Sequence, residues 1–396
     1  MEYPFSQRIG SLKASAIREI LKYTVGSDVV PFAAGNPAPD AFPTKEVAQI
    51  VDEALREGAF TDLSSLTPQG YGPLVEEVRK LVPARYTPLR PEDDCLILSG
   101  ATQGMDLAVK LFCSEGDTIL CEDPSFIGSL NSFRSQKLEL RGIPLEADGV
   151  SIPALEEALR SCPRARMLYL IPNFQNPTGQ TMSLEKRQAV YRLAKEHGLM
   201  ILEDNPYGDL RFAGEEVPAI KSLDTEGLVI YVGSFSKIIA PGLRVGFVAA
   251  DREIIRRMAV LKADEDQAAN LMAQIICARY VSRYDLAGHI QEARAIYRRK
   301  CALMLEEMDR TFSPKVTYTR PEGGLFLWCT LPDGADMADF CTRSVRDYQV
   351  ATVPGTAFTV AEGAPSQCFR LNYSTPTDEQ IVRGIRTLGR LTHELL

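Results

Sequence analysis

From about residue 95 to residue 250, short apolar runs alternate with helix-like stretches, and that alternation restricts this part of the chain to an α/β fold. The runs predict strands at 95–98, 118–121, 138–141, 167–171, 199–202, 228–232 and 245–249. Most are continuously apolar, as strands buried on both faces must be. One intervening helix carries its own punctuation. Ser183 is its N-cap, Glu185 sits in the first turn, Lys195 and His197 sit in the last, and Gly198 is the stop. The C-terminal part reads differently, with a long helix over about 286–309, strands at 317–319 and 325–330, and a helix at 336–347. That mixture predicts a second, α+β domain. Near the N-terminus, Pro31, Gly35, Pro37, Pro39 and Pro43 predict an extended arm after a helix, packed on the C-terminal part or on a partner.

Composition narrows the functions open to such a fold. A chain of 396 residues has room for two domains. Its 44 Lys+Arg against 52 Asp+Glu leave a net charge of −8, which argues against nucleic acid as the main ligand. No apolar run reaches the roughly 18 residues of a membrane-spanning helix. The segment Met1–Gly10 lacks the apolar stretch of a secretory signal. Nine cysteines without a C-x-x-C, many in contexts such as Leu111-Phe112-Cys113, predict reduced, buried thiols and a cytoplasmic protein. The histidines, His197, His289 and His393, stand far apart, so neither a metal site nor a histidine base is expected.

Chemistry is expected where predicted strands end, because ligands of open α/β sheets bind at the strands' C-terminal ends. After 228–232 comes Gly233-Ser234-Phe235-Ser236-Lys237, then Pro241-Gly242-Leu243-Arg244. A desolvated lysine sheds its proton readily and can form a Schiff base, and two hydroxyls with an arginine suit a phosphate. After 95–98, Ser99-Gly100-Ala101-Thr102-Gln103-Gly104 opens a helix whose free N–H groups suit an anion. After 199–202 come Asp204 and Tyr207, a carboxylate for a protonated ring nitrogen and a donor for a phenolic oxygen. After 167–171, Asn173–Gly179 forms a turn-rich loop containing Asn176. Taken singly, each is equally an ordinary loop, cap or helix start. Together they meet the needs of one cofactor, pyridoxal 5′-phosphate: an amine for its aldehyde, an acid for its ring nitrogen, donors for its hydroxyl and a cup for its phosphate.

The motifs N-P-T-G at Asn176–Gly179, E-D-x-x-Y at Glu203–Tyr207, S-F-S-K at Ser234–Lys237, P-G-L-R-x-G at Pro241–Gly246 and F-R-L-x-Y-S at Phe369–Ser374 occur in the order found in fold-type I aminotransferases of class I/II. Ser15–Glu19, Pro172–Gly179 and Tyr318–Gly324 resemble the 2-aminoadipate and kynurenine aminotransferase subgroup. The resemblance implies a large domain with a mostly parallel seven-stranded sheet plus a smaller α+β domain. Residues 1–49 would form an N-terminal helix and arm, 50–285 the large cofactor domain and 286–396 the small domain. It implies a cytoplasmic homodimer with shared active sites. The chain would move the amino group of an α-amino acid to a 2-oxo acid such as 2-oxoglutarate by ping-pong exchange. The donor would be 2-aminoadipate or an aromatic or branched amino acid.

Residue by residue, it implies Lys237 as the Schiff-base lysine, Asp204 at the ring nitrogen, and Asn176 and Tyr207 at the ring hydroxyl. Phe126 would stack on the ring. Gly100, Ala101, Thr102, Gln103, Ser234, Ser236 and Arg244 would hold the phosphate. Arg370 would take the substrate carboxylate, with Asn176, Gly35 and Asn36 along the substrate and Arg18 toward a distal carboxylate. The sequence departs from the subgroup at Ser65, where a tyrosine reaches the partner's phosphate, at Phe126 for the usual tyrosine, and at Ala268 and Ala269. A β-lyase or decarboxylase would use the same cup. A cofactor-binding transcription regulator would need a DNA-binding domain, for which the residues before Pro31 are too few.

Overall fold

The computed structural model describes residue 5 and residues 28–395, so the expected N-terminal helix and Arg18 lie outside the described residues. All seven predicted strands form, as β1 (Asp93–Leu98), β2 (Thr118–Asp123), β3 (Glu139–Glu146), β5 (Ala165–Leu170), β6 (Met200–Asp204), β7 (Val229–Ser234) and β8 (Gly246–Asp251). The expected seven-stranded sheet has eight strands, because the two-residue β4 (Gly149–Val150) turns back antiparallel on β3 at its edge. Two residues are too few to show a hydrophobic period. The order is β1-β8-β7-β6-β5-β2-β3-β4. The run β7-β6-β5-β2-β3 is parallel, and β8 is antiparallel to both neighbours. Consequently β1, β2, β5, β6 and β7 all end at one edge, while β8 begins there.

Local chemistry explains the elements. Met167, Leu168, Tyr169 and Leu170 on β5 are all fully buried, as a strand covered by helices on both faces requires. The helix Leu184–His197 starts where the Ser183 hydroxyl accepts the Lys186 N–H, and stops at Gly198 in the left-handed region, with φ of 63°. Buried charges tie the loops behind the sheet. Arg187 donates to the carbonyls of Met182, Pro172, Val217 and Pro218 and to Asn173, so its burial is matched by hydrogen bonds.

A second sheet takes the order β9-β10-β12-β11, with β9 (Thr317–Tyr318), β10 (Phe326–Thr330), β11 (Val353–Pro354) and β12 (Cys368–Asn372). The long helix Leu286–Thr311 packs along the last one, Asp378–Leu395. The proline-rich arm joins this sheet: Val30 bridges Val350, and the Asn372 N–H donates to the Phe32 carbonyl. All nine cysteines are free, six of them buried. No described helix is long and apolar enough to cross a membrane.

Candidate active site

The shared edge of the parallel strands opens into a cavity of about 480 Å³. Asp204 ends β6, Ser234 ends β7 with Ser236 and Lys237 just beyond, and Arg244 stands just before β8. Asn176 comes from the loop after β5, and Ala101 and Thr102 from the start of the helix Ala101–Phe112 that follows β1. Arg370 reaches in from β12, and Gly35 and Asn36 from the arm. Residues spread over some 330 positions of sequence therefore meet because strand ends and an arm share one edge.

The Lys237 Nζ donates to the Gly35 carbonyl at 2.9 Å. Burial, then the nearby Arg244 and Arg370 cations, pull its pKa down to about 8, with Asp204 opposing. The amine is thus far closer to its neutral, nucleophilic form at physiological pH than a surface lysine. Asp204 is buried at the floor. Burial pushes its pKa up to about 7, against the Tyr169 hydroxyl bond and the Lys237 charge. Its Oδ2 accepts the Tyr169 hydroxyl at 2.9 Å, while Oδ1 has no partner among the described residues.

Arg370 is buried between two rings, with its guanidinium carbon 4.2 Å from the Phe326 centroid and 5.0 Å from that of Phe358. It donates to Asn176 Oδ1 at 2.8 Å and to the Ala33 carbonyl at 3.0 Å, and its Nε is unpartnered. Two of five N–H donors are thereby used, which fixes the plane and leaves donors for a carboxylate. Asn176 also donates to the Tyr207 hydroxyl at 3.4 Å. Tyr207 stands edge-on to Phe326.

At the other end of the cavity, the Ser234 hydroxyl accepts the Ser236 N–H at 3.1 Å, and Arg244 donates to the Ser236 hydroxyl at 3.3 Å. Gly100 has φ of 88°, and a Cβ there would lie 2.2 Å from Arg244 Nη2, so the guanidinium packs directly on its backbone. Phe126 and Thr102 line the cavity. Gln103 does not. Its side chain accepts the Ser99 N–H at 2.8 Å and donates to Asp266 at 2.9 Å, so the structure turns it away from the other predicted phosphate residues. Among described residues, sequence reasoning missed Tyr169, Ser129, Met105, Ile171 and Phe326, of which all but Tyr169 line the cavity. Met105 and Ser129 lie within helices and Tyr169 within a strand, so no local signal sets them apart from core residues.

The residues fit pyridoxal phosphate. The unpartnered Asp204 Oδ1 suits a cationic ring nitrogen, the amine suits an aldehyde, and hydroxyls, a helix start and a guanidinium suit a phosphate. Comparison with known proteins agrees. The sequence matches the family Aminotransferase class I and II over residues 27–388. It is 37% identical to aromatic-amino-acid aminotransferase 1 of Thermococcus litoralis, over 98% of this chain and 94% of the relative. The structure resembles Pyrococcus horikoshii kynurenine aminotransferase, solved with PMP, with a TM-score of 0.94 at 36% identity over 99% of this chain and 98% of the other. It also resembles the α-aminoadipate aminotransferase of Thermus thermophilus, solved with N-(5′-phosphopyridoxyl)-L-leucine. There the TM-score is 0.89 at 35% identity, covering 99% and 97% of the two chains.

Proposed function

The chain belongs to the class I and II aminotransferases and is a pyridoxal-phosphate-dependent amino-acid aminotransferase, and we propose that Lys237 is its cofactor-binding and proton-moving lysine. The observation that carries this is the convergence of the depressed Lys237 amine, the unpartnered Asp204 Oδ1 and the caged Arg370 on one cavity.

When bound, pyridoxal phosphate supplies an aldehyde for the substrate amine and an electron-withdrawing ring beside the substrate Cα. The protein's own groups do the rest. Lys237 Nζ would hold the aldehyde and, as a free amine, would serve as general base and acid for the proton on the substrate Cα. Asp204 keeps the proton on the ring nitrogen. Asn176 and Tyr207 hydrogen-bond the ring hydroxyl, and Phe126 walls the ring. Gly100, Ala101, Thr102, Ser234, Ser236 and Arg244 hold the phosphate. Arg370 grips the substrate carboxylate, and Gly35 and Asn36 close its side of the cavity. Because the Asn176 amide touches both Tyr207 and Arg370, it ties together the groups that would bind the ring hydroxyl and the carboxylate.

The acceptor is a 2-oxo acid, 2-oxoglutarate in this reading, and the donor an aromatic or dicarboxylic amino acid, the classes for which the relatives are named. The protein acts as a cytoplasmic homodimer on small molecules, without nucleic acid or membrane. In this reading residues 1–49 are the N-terminal helix and arm, 50–285 the large domain and 286–396 the small domain. The test is a half-reaction: each amino acid is added to the holoenzyme, and loss of the cofactor's visible absorbance is followed with product analysis. Aromatic, 2-aminoadipate or glutamate donors yielding their 2-oxo acids support the reading. Release of ammonia or carbon dioxide instead overturns it.

A further inference from the structure

Asp204 does not stand alone at the cavity floor. Behind it, on the neighbouring strand, Tyr169 is fully buried, and its hydroxyl lies 2.9 Å from Asp204 Oδ2. On the far side the same hydroxyl accepts from the Ser129 hydroxyl, also at 2.9 Å. Ser129 is fully buried too and sits on the helix Ile127–Ser135, which begins directly after Phe126.

The polarity of this chain is fixed by proton count. A carboxylate can only accept, so the single phenolic proton of Tyr169 goes to Asp204, and the phenolic oxygen is left to accept from Ser129. We propose that Tyr169 is a positioning residue for the cofactor, holding Asp204 ionised and with Oδ1 turned into the cavity, and that Ser129 fixes the direction in which Tyr169 donates. The inference rests on the reading of Asp204 as the partner of the ring nitrogen.

Three observations support it. The Tyr169 bond ties up one carboxylate oxygen and leaves the other as the unpartnered atom, so the division of labour between the two oxygens is already built. Burial opposes ionisation of Asp204. Among the described residues, the groups that bear on it besides Tyr169 are the Lys237 ammonium, the Tyr207 and Tyr231 hydroxyls, and the Glu122 carboxyl, itself pushed up to about 8 by burial. Tyr169 is the one that bonds Asp204 directly and favours its charge. Finally, the ring of Tyr169 packs edge-on against Phe133 at 5.3 Å. Removing only the hydroxyl leaves that contact intact, which separates the electrostatic role from a packing role.

The experiment uses holoenzyme reconstituted with pyridoxal phosphate ¹⁵N-labelled at the ring nitrogen, whose chemical shift reads protonation directly, together with cofactor affinity by titration of the apoprotein. In Y169F the ring nitrogen should lose its proton at a pH about one unit lower than in wild type, a tenfold change. Cofactor affinity should fall about tenfold or more, the scale of a hydrogen bond to a charged group. S129A should shift both in the same direction by less. D204N should leave the ring nitrogen unprotonated, and adding Y169F to it should change neither readout further. A folded Y169F with wild-type midpoint and affinity overturns the inference, leaving Tyr169 a packing residue. So does an effect of Y169F that is equally large in the D204N background. A protonated ring in D204N refutes the role of Asp204 itself, and the inference with it.

Discussion

Lys237 is held in a state that costs the apoprotein stability. Its pKa falls from 10.5 to about 8, so the unfolded chain binds the proton more tightly than the folded one. Folding therefore pays a penalty that is full below pH 8 and is relieved as pH rises from about 8 toward 10.5. We expect apoprotein Lys237→Met to melt above wild-type apoprotein at pH 7, with the gap narrowing by pH 10, in paired thermal scans. Arg370 shows the opposite economy, since its charge is wanted and its geometry is what matters. Arg370→Lys retains the charge but loses the fork held by Asn176 and Ala33. It should lower kcat/KM at least about tenfold, chiefly through KM, in steady-state assays. Most of these residues were legible because polar side chains just past apolar runs are conspicuous. Tyr169 was not, because inside Met167-Leu168-Tyr169-Leu170-Ile171 a tyrosine with a partnered hydroxyl looks the same as one that only packs. Gln103 misled because a helix start announces where backbone donors lie, but not which way a side chain turns. It turned to Asp266, a carboxylate 163 residues away.

At the scale of elements, six of the seven long strands were readable because burial on both faces demands continuous apolar runs, whereas β3 has only Ile143 buried and β4 is a two-residue stub paired to it. The caps of helix Leu184–His197 were readable because capping is local chemistry. Ser183→Ala should cost about 1 kcal/mol in denaturant unfolding and leave cofactor affinity unchanged. Gly246 is a sharper probe of how the sheet edge makes the site. A Cβ there would sit 2.8 Å from the Ala101 nitrogen and 3.0 Å from the Gly233 carbonyl oxygen, both backbone atoms that cannot swing aside. It would push β7 and β8 away from the helix start proposed to hold the phosphate. Gly246→Ala should therefore weaken pyridoxal phosphate binding far more than Ser183→Ala does, as equilibrium titration of the two apoproteins would show.

At the scale of the molecule, the arm joins the small sheet while its Gly35 carbonyl reaches Lys237, so the two sheets are coupled through the site itself. Nothing in the local sequence pattern specifies that long-range meeting. It follows from the strand order, which brings distant loops to one edge. The net charge of −8 says nothing of substrate, because the proposed anion contacts are two arginines at that edge, Arg244 and Arg370. Leu55, Phe60 and Leu63 have 54%, 42% and 62% of their surface exposed within nine residues of chain, apolar side chains that the proposed homodimer would cover. Sedimentation should give a dimer, and Leu63→Asp should shift it toward monomer with reduced activity. The role of Lys237 can be read chemically. Holoenzyme is reduced with borohydride to fix the cofactor to its lysine, then digested and mapped by mass spectrometry. The phosphopyridoxyl group should be found on the peptide containing Lys237, and its recovery on any other lysine would remove Lys237 from the role proposed for it.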